Sequence, residues 1–146
     1  MKKAQYKKST GELLEVIKNN PLDKTIEEIH EEQLNISLRE YLNGLIAEHG
    51  SKPSDVMKKA GLTKSYFYAL IDGTRVNPSR DILIRLCFGF ELSLDETQKL
   101  LKTFGAAVLY PRSRRDSIII HAIENKLTLE ECNDNLHAYG QKTFVE

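Results

Sequence analysis

The stretch PSDVMKKAGLTKSYFYALIDGTRVNP, residues 53–78, carries the strongest structural signal in the chain. Its opening proline suits the first turn of a helix, where the missing N–H has no helical partner in any case. Gly61 readily adopts the left-handed backbone that ends a helix. Thr63 is a good N-cap, and a second apolar segment follows it. The stretch therefore predicts two short helices, over residues 53–60 and 64–71, joined by a tight turn.

Helical patterning extends over the rest of the chain. A capping box is a Ser or Thr followed three residues later by Glu, and its two side chains satisfy backbone amides at a helix start. The five capping boxes are Ser9/Glu12, Thr25/Glu28, Ser37/Glu40, Ser93/Glu96 and Thr128/Glu131. Residues 117–121 contain three β-branched isoleucines but have no partner strand, so they are assigned to a helix. We expect an all-α protein, with further helices over residues 10–19, 25–33, 38–49, 78–88, 94–104, 113–123 and 129–139.

The chain divides into three predicted parts, and its charge is unevenly distributed. We expect a helical extension over residues 1–36, a five-helix domain over 37–107 and a helical hairpin over 108–146 packed on that domain. The whole chain has 21 basic and 21 acidic residues. Residues 51–80 are locally basic, with Lys52, Lys58, Lys59, Lys64, Arg75 and Arg80 against Asp55 and Asp72. This local charge favours a polyanionic partner, although solvated helix faces produce similar asymmetry.

Several classes of function have no signal in the sequence. Cys87 and Cys132 are far apart and lack metal-site spacing, which favours a reducing compartment. No apolar run approaches the length of a membrane span, and the chain start lacks an apolar signal segment. The four histidines share no ligand spacing, and no nucleophile elbow or phosphate-binding glycine loop is present. We therefore expect a cytoplasmic protein that is not an enzyme, with no catalytic residues, no metal and no cofactor.

The two short helices and their turn have the spacing of a helix-turn-helix, whose second helix can lie in the major groove of DNA. In residues 37–107 this pair is second and third of five helices, and the exit reads Gly-x-Arg-x-x-Pro-Ser at 73–79. This order resembles the XRE (Cro/C1-type) family, which has a lambda-repressor-like domain. The resemblance covers about half of the chain. The residues that carry it are Val56, Ala60, Gly61, Leu62, Thr63, Phe67, Leu70, Gly73, Arg75, Pro78, Ser79, Ile82, Leu83, Leu86, Leu92, Ser93 and Leu94.

The resemblance implies a sequence-specific transcriptional regulator that places residues 64–71 in the major groove of double-stranded DNA. It also implies a homodimer on two half-sites, with the fourth and fifth helices or the hairpin as candidate dimer surfaces. The residues implied nearest to base edges are Lys64, Ser65 and Ala69, and Tyr68 on the same outward face is an alternative to Ala69 for contact with a thymine methyl group. The residues implied nearest to phosphates are Thr63, Tyr66, Thr74 and Arg75. Base contacts specify a sequence, whereas phosphate contacts set the register of the protein.

Four positions depart from the family pattern and motivate a second hypothesis. Pro53 replaces a phosphate-contacting glutamine, Met57 replaces a small residue, Ile71 replaces an acidic residue, and Val76 is an extra residue in the exit loop. The net charge is zero, and residues 66–68 are all aromatic.

The alternative is a protein-interaction module on the same fold, antitoxin- or adaptor-like, with weak or lost DNA binding. Its protein partner would contact the N-terminal or C-terminal extension.

Three arginines, Arg112, Arg114 and Arg115, stand at the start of the predicted hairpin, and Asp116 follows in the first turn of its helix. One interpretation is a solvated turn whose acidic residue complements the helix dipole. The other is a contact with phosphate or with an acidic partner. The sequence leaves both open.

Overall fold

The computed structural model describes residues 37–144, in which every regular element is a helix. The helices are α1 (Leu38–His49), α2 (Pro53–Ala60), α3 (Lys64–Ile71), α4 (Arg80–Gly89), α5 (Leu94–Thr103), α6 (Arg114–Glu124) and α7 (Leu129–Ala138). The expected all-α architecture is confirmed for this part of the chain. The helices predicted over 10–19 and 25–33, and most of the extension over 1–36, lie outside the described residues.

Hydroxyl side chains begin six of the seven described helices. Each of these N-cap side chains accepts a hydrogen bond from the backbone amide three residues further along. The N-caps are Ser37, Thr63, Ser79, Ser93, Ser113 and Thr128. The predicted capping boxes at Ser93 and Thr128 form completely. At Ser37 the hydroxyl instead donates to the Glu40 carboxylate over 2.9 Å. Only α2 lacks a side-chain cap among these helices, and it has proline in its first turn.

The central element of the core is α4. Every residue from 83 to 90 is buried, including Arg85. Burial around the whole circumference is typical of a helix that others enclose. The closest neighbour is α2, because a Cβ at Gly89 would lie 2.7 Å from the carbonyl oxygen of Val56. The positions of α2 and α5 are thus both set by their packing on α4.

The buried apolar residues of α6 and α7 belong to the same continuous cluster as those of α1 to α5. At one end of the cluster, the rings of Tyr41 and Phe104 meet edge to face with centroids 5.3 Å apart. The irregular segment before α6 is held by Gln98. Its side-chain amide donates to the Leu109 carbonyl over 2.9 Å and accepts from the Leu109 amide over 2.7 Å. The hairpin of α6 and α7 therefore shares a core with the preceding five helices.

Candidate nucleic-acid interface

A three-residue turn, Gly61 to Thr63, joins α2 to α3. Gly61 has a φ of 67° and ends α2. Thr63 starts α3, and its hydroxyl oxygen accepts a hydrogen bond from the amide of Tyr66 over 3.2 Å. The apolar side chains expected to lock the two helices together are all buried, namely Val56, Leu62, Phe67 and Leu70. The two predicted short helices and the turn between them are therefore present.

The outward side of α3 is largely exposed among the described residues. Lys64, Ser65 and Tyr68 are exposed, and Tyr68 retains 38% of its accessible surface. Ala69 is half-buried rather than fully outward. Residues four apart share a helix face, so Lys64 stands beside Tyr68 and Ser65 beside Ala69. This outward face, defined by these four residues, combines a cation, a hydroxyl, a phenol and a methyl group.

Two of the expected phosphate-contacting residues lie together at one flank of α3. The guanidinium carbon of Arg75 is 4.9 Å from the ring centroid of Tyr66. The amide of Arg75 also donates to the Ala69 carbonyl over 2.9 Å, so the loop folds back against α3. Tyr66 is half-buried and packs on the core. Its ring therefore holds the Arg75 cation beside the outward face, since a cation over an aromatic ring is attracted to it.

The C-terminal end of α3 is supported by α1. The side-chain amide of Asn43 donates to the Ile71 carbonyl over 2.9 Å. Arg39 passes so close to the following loop that a Cβ at Gly73 would lie 2.9 Å from its Cδ. Arg39 is thus a cation beside the site that the sequence did not indicate. It belongs to a different helix, and no local motif links it to α3.

Asp72 places a negative charge at the same end of α3. Hydrogen bonds from the hydroxyl and the amide of Thr74 hold the pKa of the Asp72 carboxyl below its usual value, and the charge of Arg39 adds to this effect. The amide of Thr74 donates to Oδ1 over 2.8 Å. Asp72 follows Tyr68 by four residues, so the carboxylate extends the outward face. The side of α3 that faces solvent consequently carries charges of both signs.

A buried guanidinium from α4 holds the turn between α2 and α3. Arg85 is only 7% exposed. Its Nε donates to the Ala60 carbonyl over 3.0 Å, and its Nη2 donates to the Gly61 carbonyl. Carbonyl oxygens at a helix C-terminus carry partial negative charge, which suits a cation. Sequence reasoning missed this residue, although a lone charge within the apolar run ILIRLCFGF, residues 82–90, indicates a buried partner.

The chain after α7 returns to the same place. Nη1 of Arg85 donates to the Phe144 carbonyl over 3.2 Å. The amide of Phe144 donates to Oδ1 of Asn133 over 2.8 Å, and its ring lies edge to face with Phe88. The C-terminal segment and the α2–α3 turn are thus held by the same guanidinium.

Some of the basic residues expected to make residues 51–80 positively charged are paired with carboxylates. Nη2 of Arg80 lies 2.8 Å from Oδ2 of Asp116, in a pair that is largely buried. Nζ of Lys59 lies 3.3 Å from Oε1 of Glu91. Arg80 is therefore a structural residue rather than a free surface cation. Four cations of this segment remain, Lys52, Lys58, Lys64 and Arg75. None of them has a carboxylate within salt-bridge distance in the described part of the chain.

The three arginines near the start of α6 have different roles. Arg115 forms two hydrogen bonds of 3.0 Å with the carboxylate of Asp81. Asp116 binds Arg80, so it does more than complement the helix dipole. Arg112 and Arg114 are exposed, and residues 37–144 offer them no partner. Arg115 and Asp116 therefore stabilise the fold instead of forming a solvated turn, and the contact of Arg112 and Arg114 with phosphate or an acidic partner stays a prediction.

Within residues 37–144, no three His, Cys, Asp or Glu side chains are grouped so that they could bind a metal ion. Cys87 and Cys132 are buried free thiols, and burial raises their pKa values to about 12 and about 11. Such thiols stay protonated at neutral pH and are poor nucleophiles. None of the described helices has both the length and the apolar content to cross a membrane.

Comparison with known proteins gives no match. No protein-family model fits the chain, and neither curated proteins nor solved structures show significant similarity to it. What defines the site is its geometry, a short helix that is buried on one side, supported at both ends and open to solvent along Lys64, Ser65 and Tyr68.

Proposed function

We propose that the protein is a sequence-specific DNA-binding transcriptional regulator with a lambda-repressor-like arrangement of α1 to α5. The outward face of α3 is the observation that carries this proposal. An α-helix with its side chains is about 10–12 Å across, and the major groove of B-DNA is about 12 Å wide. The side chains of Phe67 and Leu70 anchor the buried side of α3 in the core, and its other side is exposed. Such a helix is suited to enter that groove as a rigid element.

Base readout follows from the chemistry of the outward face. Lys64 donates to the O6 and N7 acceptors of guanine, and the hydroxyl of Ser65 serves either as donor or as acceptor. Tyr68 and Ala69 offer apolar surface to a thymine methyl group. The half-buried position of Ala69 limits that residue to short-range contact. The preferred site thus contains guanine and thymine close together in one half-site.

Phosphate contacts come from the flanks of the same helix. Arg75 is the principal one, and Tyr66 acts by holding it in place. Thr63 and Thr74 lie at the two ends of α3, and Arg39 adds a cation from α1. The carboxylate of Asp72 repels phosphate and suits a cytosine amine, so it contributes to specificity rather than to affinity.

The regulator acts as a homodimer on two half-sites about 34 Å apart, one helical turn of DNA. A single α3 reads few base pairs, and linking two of them raises the affinity without new contacts. The dimer surface is α5 or the hairpin of α6 and α7, because α4 is enclosed by the core from residue 83 to residue 90.

The decisive experiment is selection of duplexes from a randomised DNA pool by the full chain, followed by fluorescence anisotropy over a salt series. We expect a selected duplex to bind about 10³-fold or more tightly than a scrambled one. We also expect the logarithm of the binding constant to fall linearly with the logarithm of the salt concentration. No enrichment, together with no binding at low salt, would overturn the proposal.

The second candidate function is a protein-interaction module on the same fold. The observation that favours it is the charged Asp72 carboxylate beside Tyr68, since an acid next to an exposed aromatic ring suits a protein surface better than a phosphate backbone. Tyrosine is enriched at the centre of protein–protein interfaces. Failure of the DNA selection favours this candidate. A partner then found for the full chain should lose binding on Tyr68→Ala and keep it on Lys126→Ala, an exposed position in the turn after α6.

A further inference from the structure

Arg112 and Arg114, here called the arginine corner, are two free guanidinium groups at the start of α6. Both are exposed, and no carboxylate in the described part of the chain pairs with either. Two acids at the starts of α4 and α6 are already occupied, Asp81 by Arg115 and Asp116 by Arg80. With respect to residues 37–144, the corner therefore keeps two uncompensated positive charges.

The backbone that carries the corner is held firmly. The amide of Ser113 donates to the Tyr110 carbonyl over 3.0 Å and closes a turn around Arg112. The amide of Tyr110 donates to Oδ2 of Asp116 over 2.9 Å. Arg114 is the first residue of α6, directly after the N-cap Ser113. Because the backbone is already ordered, binding a ligand here costs little conformational entropy beyond that of the two side chains.

The corner also lies near the end of the loop that leaves α3. Arg80 is the first residue of α4, and its guanidinium binds Asp116 in the first turn of α6. The N-terminal ends of α4 and α6 are therefore neighbours. The five residues from Arg75 to Arg80 span at most about 18 Å, roughly half of the ~34 Å helical turn of B-DNA. The start of α4, which contacts the start of α6, therefore lies within about half a helical turn of B-DNA from Arg75.

We propose that the arginine corner binds backbone phosphates of the DNA duplex that α3 reads, and so adds sequence-independent affinity next to the base-reading helix. This inference rests on the proposed function. Guanidinium groups form paired hydrogen bonds with phosphate oxygens, and the corner has two of them with no competing acid. The hairpin thereby extends the DNA contact beyond the five-helix domain instead of serving only as support.

The test compares the wild type with Arg112→Ala/Arg114→Ala in the anisotropy salt series on the selected duplex. Each phosphate contact contributes about 0.9 to the salt slope. We expect the double variant to lose about two units of slope and to weaken selected and scrambled duplexes by the same factor. The control is Lys102→Ala/Lys126→Ala, which removes two exposed cations from other parts of the surface. Circular dichroism checks that both variants fold.

The outcomes separate the two proposals. If the arginine variant still binds DNA with the salt slope of the wild type, the proposal that the corner binds phosphates is overturned. The proposed function then still stands. If the lysine control loses as much of the salt slope as the arginine variant, the phosphate contact is also overturned, because net charge alone then explains the loss. A third outcome is that the wild type binds polyglutamate, that the arginine variant does not, and that the salt slope of DNA binding is the same in both. This outcome overturns the phosphate contact and assigns the corner to an acidic protein partner. Failure of the wild type to bind DNA overturns both proposals.

Discussion

The guanidinium of Arg85 on α4 donates a hydrogen bond of 3.2 Å to the carbonyl of Phe144, 59 residues further along the chain. The same group donates to the carbonyls of Ala60 and Gly61. Because Arg85 is buried, these carbonyls satisfy a charge that water cannot reach. The C-terminal segment and the turn before α3 thus share one donor group, so the segment helps to support the turn.

Arg85→Leu should destabilise the protein strongly. Hydrogen bonds to a charged group contribute about 1.5–3 kcal/mol each, and part of this is offset because a buried charge is also removed. We expect the free energy of unfolding to fall by about 2–4 kcal/mol, as measured by urea denaturation. Arg114→Leu, at an exposed position, is the control and should change it by less than about 0.5 kcal/mol. Equal effects of the two substitutions would contradict the role of Arg85.

Gly89→Ala should also destabilise, although alanine is the better helix former. Its Cβ would lie 2.7 Å from the backbone oxygen of Val56, and a backbone atom cannot move aside as a side chain can. Overpacking of this kind costs about 1–3 kcal/mol, which outweighs the gain in helix propensity of about 1 kcal/mol over most of that range. Gly105→Ala is the comparison, because a Cβ there meets nothing within 4 Å and only the φ of 72° opposes it. Thermal unfolding of both variants measures the difference, and a Tm for Gly89→Ala above the wild type would be inconsistent with the close α2–α4 packing.

The pair of Arg80 and Asp116 should show coupling in a double-mutant cycle. The two side chains share two hydrogen bonds, and Asp116 has only 9% of its side-chain surface exposed. Directly contacting residues in one network couple by about 0.5–3 kcal/mol, and we expect a value above 1 kcal/mol for alanine at both positions. The exposed pair of Lys59 and Glu91 is the reference cycle and should give less than about 1 kcal/mol. Coupling no larger than in the reference cycle would exclude Arg80 as a structural residue.

Stability should fall at alkaline pH because of the two buried thiols. Burial raises the pKa of Cys87 to about 12 and that of Cys132 to about 11, from 9.0. Below pH 9 both are protonated in the folded and unfolded states, so their contribution is constant. Above this pH the unfolded chain loses protons that the folded chain keeps, and the free energy of unfolding drops by up to about 1.4 kcal/mol per pH unit for each thiol.

Urea denaturation from pH 8 to about pH 10.5 should therefore show a steeper loss for the wild type than for Cys87→Ala/Cys132→Ala. The double variant keeps every lysine and tyrosine, so it corrects for their titration. Parallel pH profiles would show that the thiols ionise freely in the folded protein.

Lys64→Ala and Arg75→Ala should affect DNA binding in different ways. Loss of Lys64 removes a base contact worth about 1–3 kcal/mol, so affinity for the selected duplex falls and base preference at one position relaxes. Loss of Arg75 removes a phosphate contact, so all duplexes weaken alike and the salt slope falls by about one. Tyr66→Leu should reproduce part of the Arg75 effect. Competition titrations with single-base variants of the site measure both, and unchanged binding in both alanine variants would refute the assigned contacts.

Local features of the fold could be predicted because they depend on residues close in sequence. Proline, glycine and hydroxyl caps gave the bounds of α1, α2 and α3 residue for residue. The exposure of Lys64, Ser65 and Tyr68 followed from the burial of Phe67 and Leu70 at helical spacing. The lambda-repressor-like arrangement and the DNA contacts remain proposals.

The sequence by itself determined the bounds of α1 to α3, those of α4 to α7 to within two residues, and which side of α3 is apolar, because caps and helical periodicity act within one or two turns. Only the tertiary structure decided which cations are free. Arg80 and Arg115 look like Arg112 and Arg114 in sequence, but the acids that pair with Arg80 and Arg115 lie 36 and 34 residues away. Which charges meet depends on how α4 and α6 pack, and that packing comes from the whole core.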